Sequence, residues 1–382
     1  MADRLWTRPF LLLWAFTFLT FFAAFQLFPT APLRLVELGA TKAESGRFLT
    51  AFTVGSAGGA FLTGQVADRI GLRRMMGLTA LVFTLIMAAY AFAPNRGAIY
   101  ALAPVHGAVW SGLVISQPAL LGGILPAGRR AEGMSWYGLA SPGGVVVGPT
   151  VGLLLFRSFG WKAMCLGLVP CFLVLAALSR LLPADPPRHA RMKQPFRLPE
   201  PEVLALSAIL FFIALSYGAL TSYSAQEALG GGFAWPAAFL SCLALGMVAM
   251  RAFMAFRGFG ARPIRMLPAM ALLTAAGLAL LAFAPGGTAR HILSGLIYGA
   301  GYSMIYTLLN AEVLEVVPAE RRGAAFGAFM SAFDTGIGLG SFLIGLIIGA
   351  KGFRWGWSAG LLGALLAAPI GMRLARRKAP SP

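Results

Sequence analysis

The sequence predicts an all-α membrane protein, with twelve transmembrane helices in two pseudo-symmetric six-helix bundles. Three observations carry that expectation. Of 382 residues, 58% are hydrophobic and only 12% are charged, about half the charge of an ordinary soluble domain. The apolar residues fall into twelve runs, each close to the ~20 residues that a bilayer core of ~30 Å requires. A pattern in the first half returns in the second at an offset of 192 residues. This composition excludes a disordered chain, a nucleic-acid-binding module and a small secreted scaffold.

The runs are 9–31, 46–67, 75–94, 98–125, 133–156 and 161–182, then 202–225, 233–256, 265–284, 289–316, 323–348 and 354–374. Met1–Pro9 leads into the first without a small-residue cleavage site, which predicts a retained helix rather than a signal peptide. Residues 1–182 form the expected N-terminal bundle and 202–382 the C-terminal one. The segment 183–201 reads as a linker, because it holds Pro183, Pro186, Pro187, Pro195, Pro199 and Pro201 among basic residues. Cys165, Cys171 and Cys242 lie inside apolar runs, and an odd number of buried thiols argues against a disulfide framework.

The net charge of +18 belongs to short loops and assigns sidedness. Loops on the side of both termini and the linker hold 21 Lys and Arg, and the opposite loops hold 9. The positive-inside rule then predicts cytoplasmic termini and a cytoplasmic linker. The expected location is a bacterial inner membrane.

The repeat is read from PAGRRAEGMSWYGLASPGGVVVG, starting at Pro126, and PAERRGAAFGAFMSAFDTGIGLG, starting at Pro318. Pro126, Ala127, Arg129, Arg130, Ala140, Gly144 and Gly148 recur as Pro318, Ala319, Arg321, Arg322, Ala332, Gly336 and Gly340. Glycine spacing alone could reflect helix packing, but the shared PAxRR turn at the same distance points to duplication. Parallel repeats of this kind occur in secondary transporters. A weaker echo aligns Gly71 and Arg73 with Gly260 and Arg262, with Asp68 opposite Arg257.

Two motifs carry a family resemblance. Gly64-xxx-Asp68-Arg69-x-Gly71-x-Arg73-Arg74 resembles the signature loop between the second and third helices of the major facilitator superfamily. Gly144-xxx-Gly148-Pro149-xx-Gly152 resembles the fifth-helix motif of its drug/proton antiporter branch, with Leu153 in place of the last glycine. The chain departs from that pattern at Leu72, where a basic residue is usual. It also has Ala103 instead of an arginine before His106-Gly107, and Gln26 as the polar group of an acid-free first span. The resemblance implies that Gly64, Asp68, Arg69, Gly71, Arg73 and Arg74 form a cytoplasmic latch that holds the halves in the outward-open state. It also implies a hinge or tight-packing helix at Gly144, Gly148, Pro149 and Gly152.

Polar spacing points to a substrate cavity. Tyr298, Tyr302, Tyr306 and Asn310 recur every four residues on one gently drifting face, and His106, Trp110 and Gln117 share a face of the fourth span. At the repeat offset His106 matches Tyr298 and Trp110 matches Tyr302. Hydroxyl and amide groups in lipid lack partners, so such stripes, together with Gln26, are expected to wall a central cavity. Aromatic walls suit an amphipathic organic solute. Asp334 falls near the bilayer centre, where a carboxylate is costly, and is the candidate for ion coupling, with His106 as the alternative. Arg251 lies in the inner third of the eighth span, where it can snorkel or attract an anion. Glu312 and Glu315 lie near the cytoplasmic end of the tenth span and are expected to pair with loop arginines such as Arg257.

No Walker-type loop, HExxH or Ser/His/Asp constellation is present, so no enzymatic chemistry is expected. The expected function is secondary active transport by alternating access, as proton-coupled efflux. The expectation includes no cofactor and no metal, a small-molecule substrate, protons as coupling ion, membrane lipids and a monomeric state. The alternatives are an uptake carrier or uncoupled facilitator for an organic anion or sugar, a lipid flippase, and a membrane sensor that retains the fold without transport.

Overall fold

The computed structural model describes residues 4–126, 129–183, 201–257, 263–317 and 322–377. Residues 184–200 of the expected linker and parts of both PAxRR turns lie outside them, and Pro201 begins α8. The described residues are helical almost throughout: α1 (Arg8–Glu37), α2 (Lys42–Ser45), α3 (Arg47–Ile70), α4 (Leu72–Ala91), α5 (Arg96–Ile124), α6 (Arg130–Tyr137) and α7 (Ala140–Leu181). The order continues with α8 (Pro201–Gly230), α9 (Ala238–Arg257), α10 (Leu267–Phe283), α11 (Thr288–Val316), α12 (Arg322–Lys351) and α13 (Phe353–Arg377). Nine described helices are long and apolar enough to cross a membrane. The 42-residue α7 holds two spans, and the more polar α3 and the shorter α9 bring the total to twelve.

Local chemistry sets several boundaries. Thr7 caps α1 by accepting from the Phe10 amide, and Asn95 caps α5 through the Ala98 amide. Gly71 adopts φ 100° between α3 and α4, a backbone conformation that side chains disfavour. Gly160, at φ 79°, breaks α7 between its two spans.

Several boundaries differ from the expected runs, among them the end of α8, at Gly230 rather than 225, and the start of α9, at Ala238 rather than 233. The first span continues past residue 31 to Glu37, because Pro29 and Pro32 are accommodated inside a helix buried among its neighbours. The fifth run is split, since residues 133–137 belong to α6 and α7 starts at Ala140. The fifth and sixth runs join through Gly160 without an intervening loop.

The chain forms two compact units. One comprises Met1–Gly39 and Ala51–Met192, and the other Ala40–Thr50 and Lys193–Pro382. Within the second, residues 40–50 are fastened to α8 and α12. Ser222 donates to Ser341 Oγ (2.7 Å), which donates to the Gly46 carbonyl (3.0 Å). Thr50 donates to the Gly338 carbonyl (2.7 Å), and Gln226 donates to Ser45 (3.1 Å).

Candidate transport site

In the first unit, α7 lies tight against α1. A Cβ at Gly144 would sit 2.5 Å from the Phe18 carbonyl, one at Gly148 2.8 Å from that of Phe22, and one at Gly152 2.6 Å from Gln26 Cα. Pro149 is buried in the same helix. The second unit repeats the device, with Gly336 on Phe211 and Gly340 on the Leu215 backbone of α8. At the α3–α4 turn, Arg73 donates to the carbonyl of Leu182 (3.4 Å), the C-cap of α7. Arg69 and Arg74 are exposed, and Gly64 faces open space. The side chain of Asp68 lies outside the described residues.

The α5 residues divide into two environments. His106 is buried in a box of rings, with centroids 4.8 Å from Phe52, 5.2 Å from Phe83 and 5.8 Å from Tyr90. Trp110 is half-buried against Phe21, Phe28 and Phe52. Gln117 belongs to a directional chain of hydrogen bonds. Tyr137 donates to Thr17 (2.8 Å), Thr17 donates to Gln117 Oε1 (2.8 Å), Gln117 Nε2 donates to Thr20 (3.5 Å), and Thr20 donates to the Phe16 carbonyl (2.8 Å). Gln26 is buried on α1, and its Oε1 has no hydrogen-bond partner among the described residues.

The second unit gathers aromatic and charged groups. Tyr302 stacks on Tyr217 of α8 with centroids 4.8 Å apart and rings 3° from parallel, and Tyr298 stacks on Tyr302 at 5.8 Å. Tyr298 itself is fully buried and donates to Ser216 (2.9 Å), whose own proton goes to the Ile213 carbonyl. It is closed inside its unit, as His106 is in the other. Tyr306 meets Phe333 at 5.8 Å, and Asn310 Nδ2 turns back to the Tyr306 carbonyl (2.7 Å). Arg251 Nε donates to Ser303 Oγ (2.8 Å), and its charge acts on Tyr302 and Tyr306. Asp334, half-buried on α12, acts on Tyr306 as well. Glu312 is buried and Glu315 exposed.

One cluster escaped the sequence reading. Glu227, at the end of α8, accepts from Arg290 Nη2 (2.6 Å), His291 Nε2 (3.1 Å) and Trp357 Nε1 (2.8 Å). The acid, the guanidinium and the imidazole are nearly enclosed. The available signal was an acid and an adjacent Arg-His pair at the ends of two apolar runs.

These helices and their twofold packing pattern have a family. A model described as Major Facilitator Superfamily matches residues 13–340. The chain belongs to the major facilitator superfamily. It is therefore an integral membrane protein and a transporter rather than an enzyme, and it handles a small-molecule substrate among membrane lipids. Among curated superfamily relatives, the Staphylopine export protein of Staphylococcus aureus (strain Mu50 / ATCC 700699) is 26% identical, with 91% of each chain covered. An uncharacterized MFS-type transporter of Burkholderia pseudomallei (strain 1106a) is 27% identical, covering 83% of this chain and 79% of that one. The solved structure of a bacterial homolog to the human lysosomal transporter Spinster, inward-facing and occupied, superposes with a TM-score of 0.77. It is 16% identical, and 97% of this chain and 96% of that one are covered.

Proposed function

We propose that this superfamily member is a secondary active transporter that exports a small amphipathic organic solute by alternating access in exchange for protons. The observation that carries the reading is the α11 face of Tyr302, Tyr306 and Asn310 beside Arg251 and Asp334, all in helices assigned to the membrane. Polar and charged groups at that depth are costly and mark solute or ion pathways. Likeness over nine-tenths of the length to a protein named for export supports the outward direction.

Asp334 is the proposed proton carrier. It stands near the middle of the 30-residue α12, next to Phe333, which packs against Tyr306; His106 is the alternative. The remaining assignments follow the sequence. The bundles are 1–182 and 202–382, joined by 183–201, with termini and linker cytoplasmic in a bacterial inner membrane and the protein a monomer. Asp68, with Gly64, Arg69, Gly71, Arg73 and Arg74, serves as the cytoplasmic latch. The Gly144-Gly148-Pro149-Gly152 stretch serves as the hinge helix. One observation favours a second reading, an uncoupled facilitator: Ala103 is fully buried where the family pattern has an arginine.

The test uses proteoliposomes, with 4-phenylbutyrate and 4-phenylbutylamine as amphipathic probes, with and without a pH gradient. The wild type should concentrate a probe when the gradient is applied. Asp334→Asn should retain exchange and lose accumulation. An Asn variant that still concentrates the probe moves the coupling to His106. A wild type that exchanges without responding to pH supports the facilitator, and one that carries neither probe refutes transport of this solute class.

A further inference from the structure

We infer that His291 is a proton-binding site whose occupation releases the Glu227 cluster, so that acid loosens the shared end of α8, α11 and α13. This site is distinct from Asp334 and His106, and its role is independent of the transport reading.

The geometry fixes the resting protonation state. An ionised carboxylate only accepts, so the 3.1 Å contact with Glu227 places the ring hydrogen of His291 on Nε2. The ring is fully buried, edge-on to Phe233 (centroids 5.0 Å apart) and to Phe239 (6.0 Å). Its Nδ1 is buried and has no hydrogen-bond partner among the described residues. In the neutral imidazole that atom is a lone pair, left bare at modest cost. In the imidazolium it is an N–H, and a buried donor on a charged ring with no acceptor costs considerably more.

The charges sum to the same result. Glu227 is already matched by Arg290, whose Nη2 donates to Oε1 (2.6 Å) while Nη1 is tied to the Leu281 carbonyl (2.9 Å). Oε2 accepts from Trp357 as well as from His291. With His291 neutral the enclosed site sums to zero. With His291 protonated, two cations share one carboxylate and a positive charge is left over. The surrounding elements supply no second anion. On α8 the next titratable group, Tyr223, donates to the Ser341 carbonyl (2.9 Å). α9 brings the Cys242 thiol against Gly295, one turn along α11, and α13 brings Arg354, spread over Phe283 at the end of α10 (5.5 Å). A proton on Nδ1 therefore needs an acceptor from outside the closed site, and water reaches that atom only when the helix ends part. Imidazole is the side chain that ordinarily changes charge near neutral pH. In the proposed topology this end of the helices faces away from the cytoplasm.

The experiment follows the unfolding midpoint of the purified full-length protein in detergent, by tryptophan fluorescence, from about pH 8 to about pH 5.5. The unfolded chain takes the proton in water and the closed site does not, so stability falls as pH falls. Where the difference is one proton, each pH unit lowers the folding equilibrium about tenfold, or about 3–5 °C of midpoint for a unit of this size. His291→Gln keeps a donor for Glu227 and does not titrate, so its midpoint should fall less steeply with acid by that amount. Arg290→Met discriminates further, and serves if His291→Gln fails to fold. Without the guanidinium the site sums to minus one with His291 neutral and to zero with His291 protonated. Acid should then raise the midpoint of Arg290→Met over the range in which it lowers that of the wild type. A purely structural role for Arg290 would lower the midpoint equally at every pH. A His291→Gln slope equal to that of the wild type, or an Arg290→Met slope of the wild-type sign, overturns the inference.

Discussion

Removing the Glu227 carboxylate should destabilise the protein severely. Three donors converge on it, from Arg290 (2.6 Å), His291 (3.1 Å) and Trp357 (2.8 Å), drawing the ends of α8, α11 and α13 together. The side chains of Glu227 and Arg290 are only 12% and 10% exposed, so water screens the pair little. Glu227→Ala leaves a guanidinium, an imidazole N–H and an indole N–H facing an apolar gap. Truncating one member of a buried pair costs about 3–5 kcal/mol, because the other charge stays behind unpaired. At about 2–4 °C per kcal/mol for a unit of this size, the apparent midpoint should fall by about 6–20 °C. The double variant Glu227→Ala/Arg290→Leu should recover much of that loss, since the stranded cation is gone. A thiol-reactive fluorogenic dye reads the transition in detergent, because Cys165 and Cys242 are buried and Cys171 half-buried in the folded protein. A shift under about 2 °C, less than 1 kcal/mol on that scale, would refute the reasoning. So would a double variant no more stable than the single.

Two further outcomes test packing and sidedness. Gly340→Leu should abolish the monodisperse folded peak in size-exclusion chromatography, because its side chain would overlap the Leu215 backbone. Gly167→Leu, in open space, should leave that peak intact; equal profiles would show that the close approach is dispensable. A cysteine at Ala190 should react with membrane-impermeant maleimide only from the cytoplasmic side, and labelling from outside would invert the proposed topology.

The spans were legible because lipid imposes their length and their internal hydrogen bonding on the chain. The ends were less so. The first run is expected to end at residue 31, yet α1 continues through Pro32 to Glu37, buried among neighbouring helices. The Glu227 cluster was hidden for a different reason. Its partners are 63, 64 and 130 residues away, so no local period announces them. Arg290 also looked like one more loop charge. The tyrosine stripe was half legible. A step of four residues overshoots one turn by about 40°, and three steps rotate the direction by about 120°. Tyr298 therefore faces Ser216 inside its own unit, while Tyr302 and Tyr306 lie under the influence of Arg251.

The offset of 192 residues pairs close-packed positions that match and polar positions that differ. Gly144 and Gly148 match Gly336 and Gly340, and all four lie where an added Cβ would press on a neighbouring helix backbone. Any side chain there pushes two helices apart, so these positions tolerate little. A polar side chain needs only a partner within its own unit, and such positions have diverged. Tyr306, Asn310 and Asp334 match Val114, Pro118 and Pro142 of the first half. The first unit answers its polar groups with the neutral Tyr137–Thr17–Gln117–Thr20 chain. The second ties a guanidinium to Ser303 and carries a carboxylate, Asp334, on α12. Two copies of one packing scheme thus carry different electrostatics.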